Sequence, residues 1–244
     1  MYHDFARIYD RFQDIDYSSF ISFYKRVFKR YRVAPETVID LGCGSGNVTI
    51  PLAGSGFNVV GVDISPDMLA IASDKAYGNE LDIMFVNADM TEFEYPQGAD
   101  AVISALDCVN YLSSVSEVKK LFASVYKTLS SGGVFVFDIN SEYKLREILG
   151  NNTFVYEDDE AYCVWDCGYY PEDGVTAFDL NFFLKDKDGK YERFYEYQEE
   201  KLYGADELIC AAIECGFKAA DAYADLTFEE PYDKTERIFF VLQK

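Results

Sequence analysis

Residues 38–47 read Val-Ile-Asp-Leu-Gly-Cys-Gly-Ser-Gly-Asn. A short, continuously apolar run broken by alternate glycines is the signature of a buried strand delivered into a sharp loop. Gly42, Gly44 and Gly46 let the backbone turn tightly and approach a ligand closely. The strand–helix unit then recurs. NVVGVD (58–63) is a second strand, and Ser65-Pro66 opens a helix with Ser at the N-cap and Pro at N1. IMFVNAD (83–89) and AVISAL (101–106) are a third and a fourth strand. Ser114 and Glu117 form a capping box before Val118, Leu121, Phe122, Val125 and Leu129, a helix expected to stop at Gly132-Gly133. VFVFDI (134–139) is the fifth strand, and strands near 217–223 and 237–242 close the chain. Apolar strands alternating with helices specify an α/β fold. The expectation is a Rossmann-like, seven-stranded, mostly parallel sheet with helices on both faces.

Two segments depart from that rhythm. Phe5, Ile8, Tyr9 and Phe12 share one helical face, and Phe20, Phe23, Tyr24, Val27, Phe28 and Tyr31 share another, with Ser18 or Ser19 as the cap. Residues 153–203 read instead as antiparallel strands, with turns at PEDG (171–174) and KDGK (187–190). Phe178, Leu180, Phe182 and Leu184 fall on one face by period two, and so do Tyr191, Arg193, Tyr195 and Tyr197. The expected organisation is a Rossmann-like domain of residues 1–149 and 204–244, with a helical segment 1–34, interrupted by a small antiparallel β-subdomain at 150–203.

Charge narrows the partners. The 244 residues hold 43 Asp and Glu against 22 Lys and Arg, a formal net charge of −21. Such a surface repels nucleic-acid phosphates and anionic membranes. No apolar stretch has the length of a membrane span or of a signal-peptide core, and six cysteines show no disulfide framework. A cytoplasmic protein, monomeric or homodimeric, is expected. His3 is the single histidine, which leaves no Ser-His-Asp or Cys-His machinery. No metal-ligand spacing stands out, and the acidic pairs Asp158-Asp159 and Glu199-Glu200 read as solvated charge.

The ends of three successive strands present Gly42 and Gly44, then Asp63, then Asp89-Met90. In an open parallel sheet ligands bind beyond those carboxyl ends, and an acid about twenty residues past the glycines can hold both ribose hydroxyls. Asn47 stands where the dinucleotide fingerprint needs its last glycine, and no Gly-Lys-Ser/Thr follows. The loop therefore points to a nucleoside ligand rather than to a pyrophosphate.

DLGCGSG, VDIS and NADM, in this order, resemble the class I S-adenosylmethionine-dependent methyltransferases over about residues 1–145 and 204–244. The resemblance implies S-adenosylmethionine as cofactor and S-adenosylhomocysteine as product. It implies that Asp40, Gly42, Cys43, Gly44 and Gly46 pass the methionine part and that Asp63 holds the ribose. Asp89 and Met90 would meet the adenine, while Ile64, Met68 and Leu106 line the pocket. The N-terminal helix resembles the cofactor lid of small-molecule N-methyltransferases of the glycine and amino-sugar types, which makes Tyr9, and after it Tyr2, a cofactor contact. The segment Ser104–Tyr111 lacks an Asn-Pro-Pro-Tyr motif, which lowers nucleobase and protein-amide targets.

In such enzymes this segment lies between sulfonium and acceptor, so Asp107 and Tyr111 are catalytic candidates and Asn110 a substrate contact. The inserted sheet would cover a small-molecule acceptor, with Tyr162, Tyr170, Tyr195 and Tyr197 as candidate walls. Aromatic rings hold amines by cation–π contact, which favours nitrogen over oxygen. Packing or a dimer interface would use the same rings. A cofactor-binding sensor without turnover and a nicotinamide oxidoreductase are the competing readings.

Overall fold

The computed structural model describes residues 10–12 and 15–244. Tyr2, His3 and Tyr9, and most of the helix expected over Phe5–Phe12, lie outside the described residues. Asp10–Phe12 form a 3-10 turn.

The main sheet has seven strands: β1 (Thr37–Leu41), β2 (Asn58–Asp63), β3 (Met84–Asn87), β4 (Ala99–Ser104), β5 (Leu129–Asn140), β10 (Ala219–Ala224) and β11 (Arg237–Gln243). Their order is β10-β11-β5-β4-β1-β2-β3. All neighbours run parallel except β11, which is antiparallel to both β5 and β10. The chain steps outward from β1 to β3 and then returns to the other side of β1 as β4, so the strand order reverses between β1 and β4. Loops leaving two adjacent parallel strands in opposite directions open a crevice at their carboxyl ends.

Successive β1 residues face opposite layers of core. Ile39 and Leu41 pack with Val60, Val62, Val102, Phe122 and Phe135, under α4 (Val115–Thr128) and α5 (Ala205–Glu214). Val38 packs with Val59, Ala101, Ile103, Phe239 and Val241, under Phe20, Phe23, Tyr24 and Val27 of α1 (Tyr17–Arg30). Burial on both faces explains why these strands carry no polar alternation. Helices α2 (Thr49–Gly54) and α3 (Pro66–Gly78) follow β1 and β2.

The inserted segment forms a second, antiparallel sheet in the order β6 (Thr153–Glu157), β7 (Ala161–Tyr170), β8 (Val175–Lys185), β9 (Tyr191–Lys201). One face buries Cys163, Cys167, Phe178, Leu180 and Phe182 against Leu145 and Leu149 of a π-helical turn, Lys144–Leu149. Among the described residues no helix is long and apolar enough to cross a membrane.

Two local expectations are corrected. The cap of α1 is Asp16, not Ser18 or Ser19. Its carboxylate accepts from both serine N–H groups, at 3.1 and 3.4 Å, and a carboxylate at a helix N-terminus also suits the helix dipole. Helix α4 ends at Thr128, well before Gly132-Gly133. Leu129 is already paired with Ala99, and the pairing resumes only at Ala101–Val134. The two glycines sit in that irregularity, where a Cβ on Gly133 would lie 2.9 Å from the Asp100 carbonyl.

Candidate functional site

A cavity of about 430 Å³ opens at the strand reversal and is roofed by the inserted sheet. Gly42, Gly44, Asp63, Ile64, Met68 and Met90 line one side of it, and Leu106, Asp107, Cys108 and Tyr111 line its middle. On the far side lie Asn140, Lys144, Gln198, Glu200 and Arg237, below Tyr156, Trp165, Leu180 and Phe182.

The glycine loop is held by β2. The N–H groups of Gly42 and Cys43 both donate to the Val62 carbonyl, at 2.8 and 3.0 Å. Gly42 has φ +72°, and a Cβ there would fall 2.6 Å from Cys108 Sγ. Gly44 has φ +53° with open space where a side chain would project. The Asp63 carboxylate accepts from Gly44 N–H and Ser65 N–H, each at 2.8 Å. It thereby ties the loop to the start of α3 while facing the cavity. Burial pushes its pKa up, against the pull of those donors.

Asp40, Cys43, Gly46 and Asp89, also expected to contact a cofactor, do not line the main cavity. Asp40 is buried, accepts from Thr49 Oγ1, and is pushed up to about 7 by desolvation. It borders a small recess, with Cys43, Ser45 and Asn47, that shares Gly42, Gly44, Leu106 and Cys108 with the main cavity. Gly46 packs against Ala72 of α3. Asp89 caps its own turn, accepting from Thr91 N–H and Oγ1 at 2.8 Å, and it is Met90 that reaches the cavity.

Leu106 and Asp107 both adopt left-handed backbone, φ 61° and 57°. Such a pair is held only where its surroundings over-determine it. Here the buried Asp138 carboxylate accepts from both N–H groups at 3.0 Å, and Arg237 bridges Asp138 to Asp107, the latter at 2.8 Å. Asp107 therefore lines the cavity as half of an ion pair. Tyr111 lines it with its hydroxyl donating to Gln198 Oε1 at 3.0 Å.

Asn110 does not line the cavity. Its side chain is buried between strands, donating to Lys201 O at 2.9 Å and accepting from Asn140 N–H at 2.9 Å.

The four candidate wall tyrosines face the other way. Tyr170, Tyr195 and Tyr197 are exposed, with Tyr195 and Tyr197 bonded to Asp179 and Glu199, and Tyr162 packs on Phe183. In β8–β9, Phe182 pairs with Phe194 and Phe178 with Gln198. Cross-strand partners share a face, so Gln198 and Glu200 turn inward and the neighbouring tyrosines outward. Among the described residues the rings on the cavity are Phe12, Tyr111, Tyr156, Trp165 and Phe182.

Glu200, expected to be solvated, is 3% exposed. Its Oε2 accepts from Asn140 Nδ2 at 2.7 Å. Burial, then the charge of Asp107, pushes its pKa up to about 8, against the pull of Asn140, Lys144 and Arg237. Burial also lowers the pKa of Lys144 on the same wall. Glu200, Lys144, Arg237, Trp165, Asn140 and Gln198 are among the site residues that sequence reasoning missed. Glu200 shares period two with Phe194 and Gln198 on its own strand, and Trp165 with Cys163 and Cys167 on its own, but neither pattern says which face turns inward.

The segment 38–133 matches the methyltransferase domain family. A protein named as a methyltransferase in Geobacillus sp. (strain WCH70) is 36% identical over 245 residues, covering 100% of this chain and 99% of that one. The crystal structure of an S-adenosylmethionine-dependent methyltransferase from Clostridium acetobutylicum ATCC 824 matches with a TM-score of 0.89. That match is at 31% identity and covers 99% of this chain and 98% of that one. A glycine/sarcosine/dimethylglycine N-methyltransferase from Actinopolyspora halophila is 27% identical over 216 residues, 84% of this chain but 35% of that protein. Likeness of this degree along the whole of both chains leaves one family, and the chain belongs to the class I S-adenosylmethionine-dependent methyltransferases.

Proposed function

We propose that this methyltransferase acts on a small-molecule acceptor, with nitrogen preferred over oxygen. The observation that carries the reading is a single enclosure with two unlike walls. Gly42, Gly44 and Asp63 form one, and Glu200, Lys144, Trp165 and Phe182 form the other. A volume of about 430 Å³ is within the range of small-ligand sites.

The residues present fit the cofactor. Gly44 leaves open space beside the loop, Asp63 keeps carboxylate lone pairs for ribose hydroxyls, and Ile64, Met68 and Met90 supply apolar surface. S-adenosylmethionine supplies a methyl group already activated by its sulfonium. What remains for the chain is to hold the nucleophile in line and to exclude water, which can supply ~7–11 kcal/mol. The paired Asp107 fixes the loop between the two walls, and the inserted sheet closes the acceptor side. We read residues 1–149 and 204–244 as the cofactor-binding unit and 150–203 as the cover. The net charge of −21 supports a small acceptor over a nucleic acid.

The preference for nitrogen is supported by the aromatic walls, which favour cations, and by the N-methyltransferase named above. Transfer of labelled methyl from S-adenosylmethionine to a panel of amines, phenols and carboxylic acids tests the reading. Methylated amines are the expected product. Cofactor binding with no methylated small molecule would overturn it in favour of a sensor or a macromolecular acceptor.

A further inference from the structure

Two carboxyl groups, Asp107 and Glu200, lie with two cations, Arg237 and Lys144, at the acceptor end of the cavity, and a third, Asp138, is buried behind Arg237. Arg237 is fully used, since it pairs with both aspartates. What is left is one carboxyl and one ammonium. Glu200 Oε2 is taken by Asn140, and among the described residues Oε1 has no hydrogen-bond partner. Lys144 has no carboxylate within ion-pair distance and no acceptor for its ammonium among the described residues. The same floor holds Asn140 Oδ1, buried and without a partner. A buried charge or acceptor left unmatched is costly unless a ligand completes it. An unmatched carboxyl and an unmatched ammonium on one cavity call for a ligand that brings a cationic donor to the first and an anionic acceptor to the second.

We propose that Glu200 is the proton acceptor of the methyl-transfer step, that the acceptor is an amine which also carries an acid group, and that Lys144 binds that acid. This rests on the small-molecule reading above. The amine enters as an ammonium ion whose charge favours the ionised form of Glu200, displacing the carboxyl proton to water, and it pairs with Oε1, with a further N–H available to Asn140 Oδ1. One ammonium proton passes to the carboxylate, leaving a neutral amine with a lone pair. The lone pair forms the nitrogen–methyl bond as the methyl–sulfur bond breaks with its electron pair staying on sulfur, giving S-adenosylhomocysteine. The product nitrogen carries the positive charge, and Glu200 releases its proton to water as the products leave. Trp165 and Phe182 enclose the apolar body of the acceptor.

A base works best when its pKa lies near the operating pH. Burial raises Glu200 toward that range. The charged and titratable groups around it are Asp107, the cations Lys144 and Arg237, and the Cys167 thiol, with Asp138 on the far side of Arg237.

The test uses the full chain with four matched probes: phenylalanine, phenethylamine, 3-phenylpropanoate and 2-phenylethanol, extended to alicyclic and aliphatic bodies. Wild type, Glu200→Gln and Lys144→Met are compared for methyl transfer and for probe binding to the S-adenosylhomocysteine complex by calorimetry. Unchanged S-adenosylhomocysteine affinity shows that each variant is folded. The expected result is that the amine-plus-acid probes bind and react best. Glu200→Gln lowers kcat by about 100-fold or more, the usual worth of acid–base catalysis, and abolishes the rise of kcat with pH. Lys144→Met raises KM about tenfold or more for amine-plus-acid probes only, the loss of one charge-assisted contact.

Preferred methylation of alcohols or phenols, binding led by the acid-only probe, or undiminished turnover by Glu200→Gln would each sink the proposal and leave the small-molecule reading standing. An unchanged response of acid-bearing and acid-free amines to Lys144→Met would remove the acid group from it. Failure of every probe to react while the cofactor binds would sink both.

Discussion

Glu200 Oε2 accepts a 2.7 Å hydrogen bond from Asn140 Nδ2, joining the inserted sheet to the end of strand β5 across an interior wall. The carboxyl is desolvated and its pKa rises from an ordinary 4.5 to about 8. Between those values the folded chain holds a proton that the unfolded chain has lost. The stability tied to this group is therefore complete below about pH 4.5 and is lost as pH rises through about 8. Glu200→Gln keeps an oxygen for Asn140 and removes the titration. In urea unfolding the variant is expected to gain on wild type steadily from pH 5 to pH 8. A constant difference across that range would contradict the assignment. Asp40, pushed up to about 7 by the same cause, contributes equally to both proteins and cancels.

Arg237 is the second lever on that wall. Buried between Asp107 and Asp138, it offsets two carboxylates and so keeps Leu106 and Asp107 in their left-handed backbone. Arg237→Met leaves that pair unneutralised, at a cost of about 3–5 kcal/mol. Burial already pushes the Asp138 pKa up, and without the guanidinium it rises further. A raised carboxyl pKa gives stability that is present at low pH and fades as pH increases. The deficit of Arg237→Met should therefore be smaller at pH 5 than at pH 8 in chemical denaturation, and a deficit independent of pH would count against the pairing.

The cofactor wall was legible and the acceptor wall was not, for a physical reason. Gly42, Gly44, Asp63 and Met90 follow their own strands directly, so local pattern places them. Glu200 and Tyr197 are three residues apart on β9 and point to opposite faces. Which of them turns inward depends on hairpin register, and a slip of one residue inverts every side chain. Aromatic content favoured the tyrosines, whereas Phe182 opposite Phe194 decides for the glutamate. Lys144 and Arg237 arrive from a π-helical turn and from the last strand, and no local spacing in the sequence brings them together.

Gly42 gives a test of the loop that is independent of any acceptor. At φ +72° an alanine is strained, and its Cβ would meet Cys108 Sγ at 2.6 Å and Cβ at 3.2 Å. Gly42→Ala should destabilise the chain by about 1–3 kcal/mol. Adding Cys108→Ala removes the sulfur but neither the strain nor the Cβ contact. Thermal unfolding of the four-member cycle should show a coupling of at least about 0.5 kcal/mol, the double variant losing less than the sum of the single ones.

Asp63 carries both loop geometry and, in the proposed function, the ribose. Asp63→Ala should weaken S-adenosylhomocysteine binding by about 1.5–3 kcal/mol, roughly 10–150-fold, as expected for loss of hydrogen bonds to a charged acceptor. Asp63→Asn keeps an oxygen for Gly44 or Ser65 N–H and should fall between. Calorimetric titration of the three proteins checks the order, and wild-type affinity in Asp63→Ala would move the ribose elsewhere.

The 3-10 turn Asp10–Phe12 spans the mouth of the cavity with unequal anchors. Asp10 pairs with Lys75 at 2.5 Å and accepts from Ser45 Oγ and Asn47 Nδ2 at 2.7 Å, fastening it to the glycine loop. Burial raises the Asp10 pKa, but Lys75, Ser45 and Asn47 together hold it below the ordinary range. Arg11 reaches the other way, to Asp158 at 3.1 Å and Glu160 at 2.9 Å on the inserted sheet, and these pairs are exposed. Exposed pairs contribute about 0–1 kcal/mol and are screened by salt. Arg11→Ala should leave the unfolding midpoint nearly unchanged, whereas Lys75→Met loosens the half-buried anchor. In stopped-flow release of S-adenosylhomocysteine, Lys75→Met should dissociate faster than Arg11→Ala. Raising NaCl to about 1 M, where the screening length falls to about 3 Å, should bring wild type toward Arg11→Ala but not to Lys75→Met. Equal release rates for the two variants would mean that the turn does not gate the cavity from the glycine-loop side.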